Sequence, residues 1–322
     1  MFETWITEKL GVKYPVIQGA MHGLARAELT SAVSNAGGLG IINANSFASP
    51  DELRREIRQT REMTDQPFGV NITLGFNRSN EDWGEYIGAV IEEGVKILET
   101  SLRNPEPYLD WLRQSGVTVM HKVARIKDAV KAEKIGVDAV TIVGFECGGH
   151  PGMDNVGSMV LVPRLVDSVK IPVIAGGGFA DGRGLAAALA LGAQGIMMGT
   201  RFLATRESPL HPDIKELLLQ AEETDTLLIE RSIKAAARVI KTDYSSSVLK
   251  AEENGVTREE LFNLINRDKT RQAYASGDIN AGVIYGGQAA GLIYSIPTAK
   301  ELLDGIIDEA TAVCRRLHDI SS

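Results

Sequence analysis

Short apolar runs recur through the first 200 residues, and each is followed by a turn and a longer segment of helical periodicity. Runs of this kind, rich in valine, isoleucine and leucine, are typical of parallel strands that are buried on both faces. The pattern predicts eight strands at 15–19, 38–44, 68–74, 96–101, 118–122, 139–144, 171–176 and 195–200. Amphipathic periodicity predicts the intervening helices at 26–35, 51–63, 80–93, 105–115, 126–135, 162–169 and 181–191.

Eight alternating strand and helix pairs predict an α/β protein with a (β/α)₈ TIM barrel fold. Several predicted helices are followed by glycine, at positions 37, 94, 116, 136 and 192, as expected where a left-handed residue ends a helix. An open doubly wound sheet shows the same alternation. Its glycine-rich nucleotide fingerprint is missing near the N-terminus, so the barrel is the favoured interpretation.

The alternation of strand and helix patterns ends after Arg201. This change predicts that the chain has three regions. The barrel is expected over residues 1–210. Residues 211–273 predict a smaller, mainly helical insertion or lid, because 212–269 shows helical periodicity and no convincing strand. Residues 274–322 return to the barrel, with a helix that begins after Thr298, runs to about Leu317 and packs back on the barrel.

Composition and charge narrow the class of partner. A net charge of −8, a pI of about 5.3 and a mean hydropathy of −0.04 indicate a globular protein without a nucleic-acid footprint. Cys147 and Cys314 are too far apart to suggest a disulfide framework or a zinc site. With no leader-like N-terminus and no long apolar run, the sequence predicts a cytoplasmic protein without membrane contact.

Small residues at the predicted strand ends suggest an anion site. Gly176, Gly177 and Gly178 end the seventh strand, and Gly199 and Thr200 end the eighth, where barrels commonly bind phosphate through backbone amides. The alternative is that these glycines only form tight turns. A flavin-free barrel enzyme acting on a phosphorylated sugar, or a purely binding role, also fits these residues.

Two further side chains are candidates for chemistry at the same end. Lys122 closes the fifth strand, and its alternative role is that of an ordinary surface lysine. His150 lies in the glycine-flanked loop after the sixth strand, where an imidazole serves as a base of near-neutral pKa, or alternatively as a structural hydrogen-bonding group. Cys147 is expected to be a small buried residue and not a nucleophile.

Four segments, 15–21, 144–152, 175–184 and 195–202, resemble the nitronate monooxygenase family of FMN-dependent TIM barrels, also called 2-nitropropane dioxygenases. The resemblance extends over almost the whole chain, including 286–292. It is strongest to a bacterial subgroup of NADH:quinone reductases, whose motifs match Phe145 to Gly152 and Thr200 to Glu207. The segment 74–83 departs from that subgroup, because it lacks the prolines expected in a loop that contacts NADH.

The resemblance implies FMN as cofactor and assigns roles to particular residues. Cofactor-binding positions would be Ala20, Met21, Asn71, Lys122, Gly149, Gly176, Gly177, Gly178, Gly199 and Thr200. The glycines after strand seven, with Gly199 and Thr200, would hold the phosphate. His150 would be the catalytic residue that removes the acidic proton next to a nitro group, and His22 and Gln288 would line the substrate space.

Three reactions are compatible with this family. The leading expectation is a nitronate monooxygenase that oxidises alkyl nitronates or propionate 3-nitronate with O₂. NADH:quinone oxidoreduction is the alternative, and reduction of an enoyl thioester is a further one. All three require FMN and small-molecule partners, namely a nitronate or quinone and possibly NADH, in a monomer or homodimer.

Overall fold

The computed structural model describes residues 2–75 and 80–322, and residues 76–79 of the proline-free segment lie outside the described part. All eight predicted barrel strands are present. Their bounds are β1 (Val16–Gln18), β2 (Gly40–Asn43), β3 (Phe68–Leu74), β4 (Ile97–Leu102), β5 (Thr118–Val123), β6 (Ala139–Val143), β7 (Val173–Gly176) and β8 (Ile196–Met198).

The eight strands form one parallel sheet that curves into a barrel. The order along the sheet is β1-β8-β7-β6-β5-β4-β3-β2. Between the two terminal strands, Ile17 forms a parallel bridge with Leu39, and the Gln18 amide donates to the Leu39 carbonyl at 2.9 Å. This bridge closes the sheet on itself, which confirms the predicted (β/α)₈ barrel and rules out the open doubly wound alternative.

Fourteen α-helices are present in the described residues. Those of the first 203 residues are α1 (Trp5–Leu10), α2 (Ala27–Asn35), α3 (Pro50–Met63), α4 (Asn80–Glu92), α5 (Glu106–Gln114), α6 (Ile126–Ile135), α7 (Ser158–Val166), α8 (Gly182–Ala190) and α9 (Thr200–Leu203). The remainder are α10 (Pro212–Gln220), α11 (Asp243–Glu253), α12 (Arg258–Leu264), α13 (Arg267–Ser276) and α14 (Ala299–Ser321). Short 3₁₀ helices occur at Ala44–Ser46 and Gln288–Leu292.

The barrel interior is apolar at the amino-terminal ends of the strands and polar at their carboxyl-terminal ends. Ile97, Met120 and Ala139 belong to an inner cluster that includes Ile6 and Leu10 of α1, a helix that the sequence pattern did not predict. The α1 helix therefore caps the amino-terminal end of the barrel. Because side chains alternate along a strand, the residues two positions further on also point inward, at the carboxyl-terminal end. The candidate site begins in that upper layer.

The insertion contains a hairpin that the sequence prediction missed. Strands β9 (Thr226–Ile229) and β10 (Ala237–Ile240) pair antiparallel, so the expectation of no strand within 212–269 was wrong. Both strands are only four residues long, and the helical periodicity of their neighbours obscured them. The hairpin packs against α11 and α12 through Ile229, Val239, Val248 and Leu261. The division into residues 1–210, 211–273 and 274–322 stays a prediction.

The last helix returns to the barrel as predicted. Thr298 caps α14 by accepting a hydrogen bond from the Glu301 amide, and the Glu301 carboxylate accepts one from the Thr298 amide in return. At Gly182 of α8, a Cβ atom would lie only 2.4 Å from the Ala310 amide nitrogen, so this glycine permits close helix contact. Among the described residues, no helix has the length and apolar character that crossing a bilayer requires.

Candidate active site

A buried carboxylate organises the upper layer of the barrel. Glu99 of β4 is fully buried and accepts hydrogen bonds from the Asn71 amide at 2.6 Å and the Thr141 hydroxyl at 3.5 Å. The Lys122 ammonium lies 3.1 Å from the same carboxylate. The resemblance implies cofactor-binding roles for Asn71 and Lys122, and the structure joins these two side chains through Glu99. Part of the lysine side chain remains accessible, so its ammonium is both anchored and available to an anionic ligand.

The loops after β7 and β8 lie side by side, as the phosphate-site hypothesis requires. Gly176 pairs in register with Met197, and Gly177 and Gly178 both have positive φ angles, of 90° and 82°. Among the described residues, the backbone N–H groups of Gly178, Gly199 and Thr200 donate to no protein acceptor. Three unsatisfied amides at neighbouring strand ends are an arrangement suited to phosphate oxygens.

The loop after β6 is fastened to the phosphate cradle. The Glu146 carboxylate accepts from the Ser158 amide at 2.8 Å, and the Ser158 hydroxyl donates to the Gly177 carbonyl at 2.7 Å. Glu146 thus satisfies the first turn of α7, which has no side-chain cap of its own at Gly157. The loop that carries His150 is therefore fixed relative to Gly177.

His150 has a free imidazole at the barrel mouth. Its side chain is exposed, and among the described residues it makes no hydrogen bond. The ring stacks against Tyr285, with 6.4 Å between ring centroids and 29° between planes. Although His150 is exposed as a residue, the protein on the packed side of its ring excludes part of the water and lowers the pKa of His150. The imidazole is consequently neutral near pH 7 and has a nitrogen available to accept a proton.

Residues after β1 and residues 286–288 complete the mouth. Ala20 packs against the inner cluster, and the Met21 sulfur lies 3.8 Å from where a Gly199 Cβ would be. The Gly287 backbone amide donates to the Thr200 hydroxyl at 2.9 Å, and the Gln288 backbone amide donates to the Glu146 backbone carbonyl at 2.9 Å. Gln288 therefore lies beside the predicted phosphate cradle, while its substrate-lining role stays a prediction.

His22 lies where the barrel meets the insertion. Burial lowers the pKa of His22 to about 4, and the positive charges of Arg267 and Arg271 on α13 lower it further, while a hydrogen bond with Asn43 opposes the shift. His22 is therefore neutral at pH 7. Its predicted contact with substrate remains to be tested.

Cys147 and His121 are both held in their neutral forms at pH 7. Burial raises the pKa of Cys147 to about 12, so its thiol stays protonated and a thiolate–imidazole pair with His150 has no physical support. His121 contacts the Thr100 hydroxyl at 2.9 Å, and burial lowers the pKa of His121 to about 4. His121 therefore lies in the core.

Comparison with known proteins assigns the family. A family model described as nitronate monooxygenase matches residues 3–309. This chain belongs to the nitronate monooxygenase family. A relative from Staphylococcus saprophyticus named "Probable nitronate monooxygenase" is 30% identical over 97% of this chain and 99% of its own length. A Rhodococcus jostii relative, "(3aS,4S,5R,7aS)-5-hydroxy-7a-methyl-1-oxo-octahydro-1H-indene-4-carboxyl-CoA dehydrogenase", is 35% identical over 95% of both chains.

Solved structures agree with this family assignment. FabK from Thermotoga maritima superposes with a TM-score of 0.93 at 37% identity, covering 99% of this chain and 100% of FabK. Nitroalkane oxidase from Streptomyces ansochromogenes has a TM-score of 0.84 at 23% identity, covering 97% of this chain and 99% of its own, which supports the shared fold. The nitronate monooxygenase family consists of FMN-dependent oxidoreductases, so the chain is an FMN-dependent enzyme acting on a small molecule.

The residues present fit FMN. The three unsatisfied amides suit its terminal phosphate, and no flavin-free reaction is needed to explain the cradle. Sequence reasoning missed Glu99, which pairs with Lys122, Tyr285, which stacks on His150, and Arg238, which bridges to Gly149. A carboxylate inside the apolar run from Ile97 to Leu102 was the available signal for Glu99. No comparable signal marked Tyr285 or Arg238, because their contacts arise only in the folded chain.

Changing Gly178 to alanine tests the cradle. Its φ angle of 82° strains any side chain, and a new Cβ would meet the Glu146 side chain at 3.4 Å. Relief of that strain moves the amide, so we expect the FMN dissociation constant to rise about tenfold, equivalent to about 1.4 kcal/mol. Quenching of flavin fluorescence measures it. Gly305→Ala in α14, where a Cβ meets nothing within 4 Å, is the control that should leave FMN affinity unchanged.

Proposed function

We propose that this enzyme oxidises nitroalkanes and their nitronates, with His150 as the base that removes the proton from the carbon next to the nitro group. The single observation that supports the proposal is the neutral, unbonded imidazole at the barrel mouth. A nitroalkane is a carbon acid, and a base with a lowered pKa remains unprotonated where an ordinary histidine would begin to acquire charge.

The proposed step transfers a proton from the substrate carbon to His150. The C–H bond next to the nitro group breaks, its proton passes to a ring nitrogen of His150, and the electron pair moves into the resulting nitronate. FMN, when bound, would supply the electron acceptor, and one O₂ consumed for two nitronates balances as two carbonyl compounds and two nitrite ions. Lys122, held by Glu99, would supply positive charge near the anionic species in the barrel mouth.

A second candidate is an oxidoreductase for an acyl-CoA thioester. The relatives from Rhodococcus jostii and Mycobacterium tuberculosis are named carboxyl-CoA dehydrogenases, and both are more similar to this chain than the staphylococcal relative. A proton next to a thioester carbonyl is also acidic, so the same imidazole would serve as base. NADH:quinone oxidoreduction finds no support among these relatives and stays an untested alternative.

Anaerobic mixing of the FMN-loaded enzyme with candidate substrates distinguishes these reactions. Oxidised flavin absorbs at about 450 nm, and this absorbance is lost when a substrate delivers electrons. We expect loss with nitroethane, ethyl nitronate or propionate 3-nitronate, and none with NADH. Loss with a saturated acyl-CoA and none with any nitro compound would replace the proposal with the thioester candidate. Loss with NADH alone would favour the quinone reductase.

A further inference from the structure

We propose that Arg238, on strand β10 of the insertion, is a positioning residue that holds the His150 loop in its reactive geometry. The inference deepens the proposed function and rests on it, because it concerns the same base. It also gives the insertion a role within the active site beyond that of a cover.

The backbone of β10 pairs directly with the residue before the base. Arg238 and Gly149 form an antiparallel bridge, in which the Gly149 amide donates to the Arg238 carbonyl at 3.0 Å and the Arg238 amide donates to the Gly149 carbonyl at 2.6 Å. These two bonds extend the hairpin by one position into the loop after β6. An isolated bridge therefore ties the peptide that adjoins His150 to the hairpin.

The Arg238 side chain grips the other end of the same loop. Its Nε and Nη2 atoms donate to the Phe145 carbonyl at 3.2 and 2.9 Å, and Nη1 donates to the Thr226 hydroxyl at 2.8 Å. The guanidinium carbon also lies 4.5 Å from the centre of the Phe145 ring. A planar fork with several donors suits such a clamp, whereas a lysine ammonium does not reproduce it.

The next residue of β10 fixes the ring that stacks on the base. Val239 forms an antiparallel bridge with Tyr285, whose ring stacks on His150. Two consecutive residues of one strand thus set the position of the imidazole from two sides. The barrel supplies a third restraint through Glu146 and Ser158.

Burial of Arg238 makes a purely packing role a poor explanation. Arg238 is 4% exposed, and among the described residues no carboxylate lies within ion-pair distance of it. The acceptors of its hydrogen bonds are all neutral, and burial lowers the pKa of Arg238, while the negative charge of nearby Glu146 opposes that shift. An apolar side chain would fill this space at a lower desolvation cost, but it would leave the Phe145 carbonyl without its hydrogen-bond donor.

Arg238→Met tests the inference by two measurements. We expect kcat/KM for neutral nitroethane to fall about tenfold, while kcat/KM for ethyl nitronate changes by about twofold or less, because a misplaced base matters only when a proton is removed. In FMN-free protein, NMR titration of the five histidines should show the pKa of His150 rising toward about 6.5 as its ring gains solvent. His150→Asn identifies the His150 signal by its loss.

Two further variants serve as controls. Arg258→Met removes another arginine that lies over a phenylalanine, 5.2 Å from the Phe262 ring, and should change neither measurement. Arg238→Lys retains the charge without the fork and should give a loss in the same direction, which keeps the test usable if Arg238→Met does not fold.

Failure of this inference is distinguishable from failure of the proposed function. Equal losses on nitroethane and ethyl nitronate, with weaker FMN binding and an unmoved His150 titration, would show that Arg238 supports the fold and does not position the base. If His150→Asn itself does not separate the two substrates, the proposed base role fails. If His150→Asn separates them and both Arg238 variants behave like the wild type, only the positioning inference fails.

Discussion

Replacing His150 by asparagine is expected to lower kcat/KM for neutral nitroethane by about 10²- to 10⁴-fold, the usual contribution of a general base. Asparagine retains the size and polarity of the side chain but cannot accept the proton at neutral pH. Ethyl nitronate has already lost that proton, so its oxidation should proceed at nearly the wild-type rate. Steady-state oxygen consumption with each substrate measures the two values.

The pH dependence of the wild-type rate provides a second test of the base role of His150. The pKa of His150 is lowered, so the imidazole stays an active base below pH 6.5 and loses activity only as the pH falls through its depressed value. The acid limb for nitroethane should vanish in His150→Asn. His211→Asn, at a helix N-cap in the insertion where asparagine also caps well, is the control and should retain full activity on both substrates. Equal rate losses on nitroethane and ethyl nitronate in His150→Asn would contradict the base role.

Glu99→Ala is expected to lower the free energy of unfolding by about 1–3 kcal/mol, because a buried hydrogen-bond donor loses its acceptor while the partly accessible Lys122 side chain keeps contact with water. The change leaves the Lys122 ammonium without its carboxylate and the Asn71 amide without its 2.6 Å acceptor. Urea unfolding of the FMN-free protein at pH 7 measures the loss. Glu253→Ala, at an exposed position at the end of α11, should change stability by about 0.5 kcal/mol or less.

A second substitution separates loss of charge pairing from loss of packing at Glu99. Adding Lys122→Met to Glu99→Ala removes the unpaired cation, so the double variant should be more stable than Glu99→Ala alone. A double variant whose loss equals the sum of the two single losses would show that Glu99 and Lys122 do not interact energetically.

The barrel was predictable because its signal is local. Each strand is a short apolar run, and characteristic residues mark the helix ends. Gly136, for example, adopts the left-handed conformation at the end of α6. The same local rule failed for β9 and β10, where four-residue strands lie among polar helices. The predicted helix 162–169 began four residues late, because Ser158 is held by Glu146, a contact distant in sequence.

The candidate site was predictable where one residue type carries the chemistry. The cradle glycines, Lys122 and His150 each lie at or just after the end of a predicted strand, so the fold alone brings them to one end of the barrel. Their partners were not predictable, because Arg238 bridges to Gly149 from a segment distant in sequence, and Tyr285 reaches His150 by ring stacking. Contacts between such distant segments depend on how the insertion packs, and they produce no periodic pattern in the sequence.

The isotope effect of nitroethane deuterated at the carbon next to the nitro group tests the central claim most directly. If the enzyme removes this proton at His150, anaerobic loss of absorbance at about 450 nm should be slower with the deuterated substrate, and deuterated ethyl nitronate should show no such difference. Equal rates for deuterated and ordinary nitroethane, with the absorbance change limited by nitronate already present in solution, would contradict the account.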